Sequence, residues 1–531
     1  MGREINIDSI QALDKRIKEV TAELTRLKRS RNSLLNIARV PPEILGHIFR
    51  FNVALEVGDC RFATVREDAY NFLLVCHHWF EVALHTPELW SFWGNSLDDW
   101  KRRYLRSGTS ALDLTLEGWL YEDGSFDEAL RDALRDRAAR GVIRKVHLRS
   151  EDPELLTAIV SSLTPEDECV RLSGIESIDL SDVDVSDFFA RHRFPKLRDL
   201  YLSGSFQISA WDHLISHTMA LTTLSLDFDD TIPSAAIPTT SQILSLLASN
   251  HNIRSLTLQW FTIIDDGGND FKSSVPLCHL EQLSLTGNVF PILHRLELPE
   301  RLDHAELGFY DCTLEEVVGT AGPYIRDYLQ RDARFRDRLG VFVETAPTYI
   351  LLHASVVGIG YHGPNRLPQN GPPDARFRAT FPQRISFHER ELCADVLALL
   401  PQESIVNLKT EFMVAEEMAV AMLNLETLHF VGMEVSNGFL LPKLDGPNAH
   451  KRLLPSLQRL YLENVKVENG DWGPLLTYLA HQTSDNRIIS LNVFGDGVHV
   501  CSDVVKQIEG LVEEFIYLPD PDQECPFNRW M

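Results

Sequence analysis

Residues 194–204 read FPKLRDLYLSG, and this stretch decides how most of the chain is interpreted. Leu200 and Leu202 flank Tyr201, and this alternation is typical of a β-strand, in which successive side chains point to opposite faces. Leu197 adds a third apolar anchor just before the strand. We therefore predict a short strand whose leucines face a core and whose interleaved residues face the other side.

The same L-x-x-L-x-L skeleton recurs at intervals of roughly 20 to 30 residues, for example in MALTTLSLDF (219–228), LPSLQRLYLEN (454–464) and RIISLNVFGD (487–496). Apolar stretches with helical periodicity separate several of the copies. The pattern resembles leucine-rich repeats. That resemblance implies an α/β repeat fold, an irregular solenoid over residues 107–531. The proline- and glycine-rich composition near 343–392 predicts a loop inserted into it. A doubly wound α/β sheet is the alternative, because it also alternates strands and helices.

In the solenoid interpretation, the interleaved strand residues would line a concave surface that binds a protein substrate. Aromatic and arginine side chains dominate the energetics of protein interfaces. The predicted substrate-binding residues are therefore Tyr201, His429, Arg459, Tyr461 and Phe494.

The first 36 residues contain a heptad pattern of apolar residues. They are spaced alternately three and four apart, with Arg31 in one apolar position: Ile10, Leu13, Ile17, Val20, Leu24, Leu27 and Leu34. We predict a helix over 1–36 that ends before Pro41. It either forms a coiled coil, with a second copy or with a partner helix, or folds its apolar seam onto the domain behind it.

Residues 37–106 are predicted to form a small helical domain. Pro41 and Pro42 suit the entry and first turn of a helix. Apolar residues continue through Ile48, and the segments LVCHHW (74–79) and PELW (87–90) follow. A unit of this size has more apolar residues than it can cover, so part of its surface should bind a partner.

The order of these four segments resembles an F-box. This resemblance implies docking on the Skp-type adaptor of cullin–RING ubiquitin ligases. Carried over to this sequence, the adaptor-binding residues are Pro41, Pro42, Ile44, Leu45, Ile48, Val75, Cys76 and Trp79. The alternative is that these side chains are simply the core of a helical cap on the next domain.

Composition narrows the function classes further. A formal net charge of −25 disfavours nucleic acid and anionic membranes as partners. The absence of a secretory segment and of CxxC pairs favours a cytoplasmic or nuclear protein. We predict no catalytic residues, metal or cofactor: the only nucleotide-like motif, GIGYHG at 358–363, is followed by Pro364 instead of a helix.

The leading hypothesis is a non-enzymatic substrate receptor of an SCF-type ubiquitin ligase, in which the F-box-like domain binds the adaptor and the repeat array binds a protein substrate. The second hypothesis is a leucine-rich-repeat interaction scaffold that forms a homodimer through the N-terminal helix.

Overall fold

The structure is a computed structural model, and it divides into two compact units, Met1–Ala220 and Leu221–Met531. The boundary lies inside the range 107–531 that the sequence analysis treated as one domain. The described residues are 7–35, 39–57, 67–93, 97–117, 126, 128–149, 152–163, 172–183, 185–204, 208, 211–228, 237–261, 274–287, 290–309, 317, 319–331, 339–346, 349–356, 376–382, 397, 399–410, 419, 421–432, 434–435, 454–467, 471–480, 488–495 and 500–518.

The first unit begins with helices in the ranges where the sequence predicts them. Its helices are α1 (Ile7–Ser33), α2 (Pro42–Val57), α3 (His77–Leu84), α4 (Leu97–Tyr104), α5 (Glu128–Ala139), α6 (Pro153–Ser162), α7 (Ser186–Arg191) and α8 (Trp211–His217). Two 3₁₀ helices cover Glu67–Leu74 and Pro87–Trp90. Helix α2 begins at Pro42, where the missing N–H costs no hydrogen bond, and Glu43 suits the positive end of the helix.

The rest of the first unit is a parallel sheet with helices between its strands. The strands are β1 (Phe92–Trp93), β2 (Leu112–Glu117), β3 (Ile143–Arg149), β4 (Ser177–Ser181) and β5 (Asp199–Gly204). Each strand pairs in parallel with the next one along the chain. In β5 the leucines are buried while Asp199 and Tyr201 are half-exposed, as the alternation in the sequence predicts.

The second unit contains both parallel and antiparallel strands. The strands are β6 (Thr223–Phe228), β7 (Ser255–Phe261), β8 (Val275–Pro276), β9 (Gln282–Gly287), β10 (Leu296–Glu297), β11 (His304–Gly308), β12 (Leu339–Ala346), β13 (Tyr349–Val356), β14 (Arg376–Pro382), β15 (Ile405–Thr410), β16 (Thr427–Val431), β17 (Glu434–Val435), β18 (Arg459–Glu463), β19 (Lys466–Val467), β20 (Ser490–Phe494) and β21 (Glu514–Leu518). The helices are α9 (Thr240–Ser249), α10 (Phe290–Leu293), α11 (Gly322–Arg331), α12 (Gly473–Ala480) and α13 (Ser502–Leu511), with a 3₁₀ helix at Gln402–Ser404.

The main sheet of the second unit is mostly parallel. Its neighbours run in the order β6, β7, β9, β11, β14, β13, β12, β15, β16, β18, β20, β21. Only β13 pairs antiparallel with its neighbours among these strands, so β12 to β14 form an antiparallel segment inside a parallel sheet. Two short parallel pairs, β8 with β10 and β17 with β19, lie outside it.

The predicted leucine-rich-repeat solenoid, and with it the fold class of an α/β repeat, is wrong. The structure is an α/β arrangement with a mostly parallel sheet. Every residue of β20 is buried, and so are four of the five in β16. Strands covered on both faces are typical of α/β folds, whereas the solenoid interpretation required one open face. The spacing of the leucines indicates only that one face of a strand is buried. A solenoid and an α/β sheet therefore give the same spacing.

The region predicted as a long loop near 343–392 also differs from expectation. Strands β12, β13 and β14 lie in and around it, paired with one another and with β11 and β15. Strand-forming runs such as YILLHASV (349–356) outweigh the proline- and glycine-rich composition around them. The GIGYHG motif at 358–363 lies outside the described residues. Within the described chain, no helix is long and apolar enough to cross a bilayer.

Tight turns end several strands, and they require unusual backbone conformations. Asn464 follows β18 with φ of 53°, and Gly495 follows β20 with φ of 104°. The Asn464 N–H donates to the carbonyl of Phe494, which fixes the turn to the neighbouring strand. A Cβ on Gly495 would collide with the Asn464 side chain, so only glycine fits here.

Candidate docking surface on the helical domain

The helical part of the first unit has a closed aromatic core. Its buried residues come from α2, α3 and the two 3₁₀ helices: Leu45, Phe49, Val53, Phe72, Val82, Ala83, Leu89 and Trp90. The rings of Phe49 and Phe72 stack with centroids 4.3 Å apart. Trp90 donates its indole N–H to the carbonyl of Ala83 at 2.8 Å, so its one polar atom is satisfied.

Polar contacts join this core to helix α4. The Tyr70 hydroxyl donates to the carbonyl of Leu89 at 3.3 Å. The Arg103 guanidinium lies 4.7 Å from the centre of the Tyr70 ring, and that of Arg106 lies 4.6 Å from the Trp90 ring. Cation–π contacts of this kind cover the aromatic rings with long polar side chains. The helical domain therefore completes its own core without the remaining apolar residues.

Several of the remaining apolar residues are exposed. We define the docking surface as Ile44, Ile48, Leu74 and Val75, whose exposed fractions run from 49% for the two isoleucines to 84% for Leu74. Ile44 and Ile48 are four residues apart and share one side of α2, while Leu45 and Phe49 on the other side enter the core. Leu74 is the last residue of the first 3₁₀ helix and Val75 follows it, before α3; this 3₁₀ helix and α3 both pack against α2.

The eight residues predicted to bind the adaptor differ in their exposure to solvent. Five are exposed: Pro41, Pro42, Ile44, Ile48 and Val75. Cys76 and Trp79 are half-buried, and the Trp79 ring lies 5.2 Å from that of Phe49. Leu45 is a correction, because it is only 1% exposed and belongs to the core. Ile44 and Leu45 are neighbours on α2, and the sequence alone does not show which of them faces the core. That depends on which side chains pack against the helix.

Four further apolar residues of this domain are exposed and were not among the predicted adaptor-binding residues: Phe51, Leu74, Phe80 and Leu105. Leu74 was predicted only as part of the helix-like segment 74–79, and it is the most exposed of them. The sequence offers no signal that separates Leu74 from buried residues, because adjacent apolar residues of this domain such as Leu89 and Trp90 are both buried. Phe51 is three residues beyond Ile48 on α2 and so extends the same side of that helix.

Charged side chains also lie on these helices. Arg50 lies 4.0 Å from Glu88, and His77 lies 3.6 Å from Glu81. All four side chains are more than a third exposed, so these pairs contribute little to stability. An apolar patch with exposed charges near it has the composition of a protein-docking surface.

The predicted substrate-binding residues are divided between the two units. Tyr201, in the first unit, is half-exposed, as is Arg459 in the second. His429, Tyr461 and Phe494 are buried, and the His429 ring lies 5.6 Å from Tyr461 and 6.0 Å from Phe494. The open placement expected for these three is corrected, because their side of the sheet is covered. A role of the five in substrate binding stays a prediction.

Buried charge accompanies this aromatic cluster. The Nε2 atom of His429 lies 2.9 Å from Oε2 of Glu463, whose carboxylate also lies 3.8 Å from Nζ of Lys409. Burial lowers the pKa of His429 below its ordinary value, and the interaction of its imidazole with the accepting Glu463 carboxylate only partly offsets this effect. The three side chains form a largely enclosed charge cluster.

A polar face in the first unit is more accessible. The Asp179 carboxylate accepts from His147 at 2.8 Å and from Arg149 at 3.3 Å. Tyr201 is the register partner of Asp179 on the neighbouring strand. Arg149 and Tyr201 are half-exposed, whereas the His147 side chain is only 13% exposed. This face therefore brings one predicted residue beside a charged group that sequence analysis did not single out.

No protein-family model matches the chain, and no curated protein matches it significantly. The F-box resemblance therefore depends on the residues quoted above, and the arguments below depend on the geometry of the two units.

Proposed function

We propose that the chain is the substrate-recognition subunit of an SCF-type ubiquitin ligase, and that its helical domain docks on the Skp-type adaptor. The observation that carries the proposal is the docking surface. Its four apolar side chains stay in solvent although the domain beneath them already has a complete core. Exposed apolar patches of this kind are typical of protein-binding sites.

The chemistry expected of such a subunit is proximity. It holds a protein substrate near the ubiquitin-conjugating enzyme, which raises the effective concentration of the reacting lysine without a catalytic group of its own. In this proposal the α/β units supply the substrate contact. Tyr201 beside the Asp179 cluster is the best-supported part of that contact, because it is accessible and offers both aromatic and charged groups.

The experiment is co-expression of the full chain with a Skp-type adaptor, followed by measurement of co-elution and of the dissociation constant. The test variant is Ile44→Glu with Ile48→Glu, which places two carboxylates on the docking surface without touching the core. We expect the dissociation constant to rise more than about 100-fold, as for two interface anchors.

The matched control is Leu105→Glu, because Leu105 is also exposed in the first unit but is not part of the docking surface. This variant should bind as the unmodified chain does. A second comparison, Leu45→Ala, should lower the stability of the helical domain by about 2–5 kcal/mol, because it removes a core side chain. Unchanged adaptor binding in the Ile44/Ile48 variant would refute the proposed docking mode.

If the folded, unmodified chain does not bind the adaptor, the ligase proposal fails. The helical domain would then be better described as a cap, which was the alternative drawn from the sequence.

A further inference from the structure

Helix α1 leaves its whole apolar seam in solvent. The seam residues Ile10, Leu13, Ile17, Val20, Leu24, Leu27 and Leu34 are each between 46% and 74% exposed. The sequence left open whether this seam folds back onto the domain behind it, and the exposure of all seven excludes that arrangement. A helix with an uncovered apolar stripe gains most of its stability from a partner.

The pattern of the seam identifies the kind of partner. In heptad notation the a positions hold Ile10, Ile17 and Leu24, and the d positions hold Leu13, Val20, Leu27 and Leu34. β-Branched residues at a together with leucine at d favour two parallel strands over higher oligomers. We propose that α1 pairs with α1 of a second copy of this chain as a parallel, in-register coiled coil.

Flanking charges support the same partner. Glu23 precedes an a position and Lys28 follows a d position, so in a parallel dimer each Glu23 lies beside Lys28 of the second copy. This attraction occurs twice because of the two-fold symmetry. An antiparallel pair covering the full seam would instead place Glu23 opposite Glu23. Within one chain Glu23 accepts from Arg26 at 2.7 Å, an exposed pair that is weak enough to exchange.

Arg31 occupies the remaining a position and is the one unfavourable residue in the seam. It lies in the last turn of α1, where its long side chain can extend past the helix end into water. A single polar residue at an a position lowers the stability of a coiled coil but fixes its register. In the in-register pairing the two arginines share one layer, and the repulsion between them weakens the dimer.

The test is the mass of the full chain in solution over a concentration series, by sedimentation equilibrium. We expect a dimer, with twice the chain mass of 60.3 kDa. The seam variant Ile17→Glu with Leu24→Glu should raise the dimer dissociation constant more than about 100-fold. The matched control, Ala22→Glu with Thr25→Glu, adds the same charge to the outer side of α1 and should remain dimeric. Arg31→Leu should tighten the dimer.

Three results would overturn the proposal. A monomer at all concentrations would mean that the seam does not bind a second copy. Equal loss of dimer in the seam and control variants would place the contact elsewhere. The parallel orientation is tested by Leu13→Cys. Under mild oxidation this variant should form a disulfide between the two copies of the chain, while Ala12→Cys and the unmodified chain should not. A dimer without that crosslink would not be parallel. None of these measurements involves the adaptor, so they are independent of the ligase proposal.

Discussion

The imidazole of His429 lies 2.9 Å from the carboxylate of Glu463, and His429 has no exposed surface at all. The pair is enclosed by aromatic rings and by Lys409, whose ammonium group lies 3.8 Å from the same carboxylate. Burial disfavours the protonated form of this histidine and outweighs the opposing effect of the Glu463 carboxylate, so the pKa of His429 is lowered.

This burial makes the stability of the second unit depend on pH. The pKa of His429 is lower in the folded chain than in the unfolded chain, mainly through burial. Above the unfolded value of about 6.5, His429 is neutral in both states and has no effect. As pH falls below that value, the unfolded chain takes up the proton first, so the free energy of unfolding decreases by up to about 1.4 kcal/mol per pH unit.

The measurement is chemical denaturation at pH 7.5 and pH 5.5 for the unmodified chain and for His429→Gln. We expect the variant to lose less stability between the two pH values, because glutamine does not titrate. Equal losses in the two proteins would show that His429 is not the group responsible.

Gly495 should be far more sensitive to substitution than Gly510. Gly495→Ala places a Cβ against the Asn464 side chain at a φ of 104°, so we expect a loss of at least about 1–2 kcal/mol. Gly510 lies in α13 with open space around it, and Gly510→Ala should be neutral or stabilise the chain by up to about 1 kcal/mol. Thermal unfolding of the two variants gives the comparison, and a Gly495→Ala protein as stable as the unmodified chain would contradict it.

The pair of Asp113 and Arg144 should show measurable coupling. Arg144 donates to both carboxylate oxygens, Nε to Oδ1 at 2.9 Å and Nη2 to Oδ2 at 2.7 Å. The hydrogen bond raises the pKa of Arg144 despite its partial burial. Because 41% of the Arg144 side chain is exposed, we expect a coupling energy of only about 0.5–1 kcal/mol, which high salt should reduce.

A double-mutant cycle with alanine at both positions measures this coupling. The matched pair is Arg254 with Glu281, 3.4 Å apart and mostly exposed, for which the cycle should give a value near zero. Similar coupling energies in the two pairs would mean that the bidentate geometry and the partial burial of Asp113 add nothing to the coupling energy.

The sequence predicted local features of the fold better than its overall class. The heptad spacing gave α1, the prolines gave the start of α2, and the leucines of β5 are buried as alternation requires. All three are properties of one segment and its own periodicity. The extent to which the opposite strand face is covered depends on distant parts of the chain. For that reason Tyr201 lies half-exposed as expected, whereas Tyr461, in a similar sequence pattern, is buried.

The docking surface shows that the same limit on predicting burial from sequence applies within a single helix. The sequence predicted helix α2, but it grouped Leu45, which is buried, with Ile44, which is exposed, because both are large and apolar. Only the packing of Phe72 and Trp90 from later segments decides which of the two faces the core. Strands β12 to β14 were missed because the proline-rich residues between them dominated the composition of that region.

The placement of the exposed apolar residues at the start of the described chain has a consequence for its biosynthesis. The seam of α1 and the docking surface are translated before every strand of the two units. At about 5–20 residues per second, roughly 20–90 s pass between the synthesis of Val75 and that of Leu518. During this interval the exposed side chains are already available to partners, so we expect an adaptor present in the cell to be recovered with ribosomes that still carry incomplete chains.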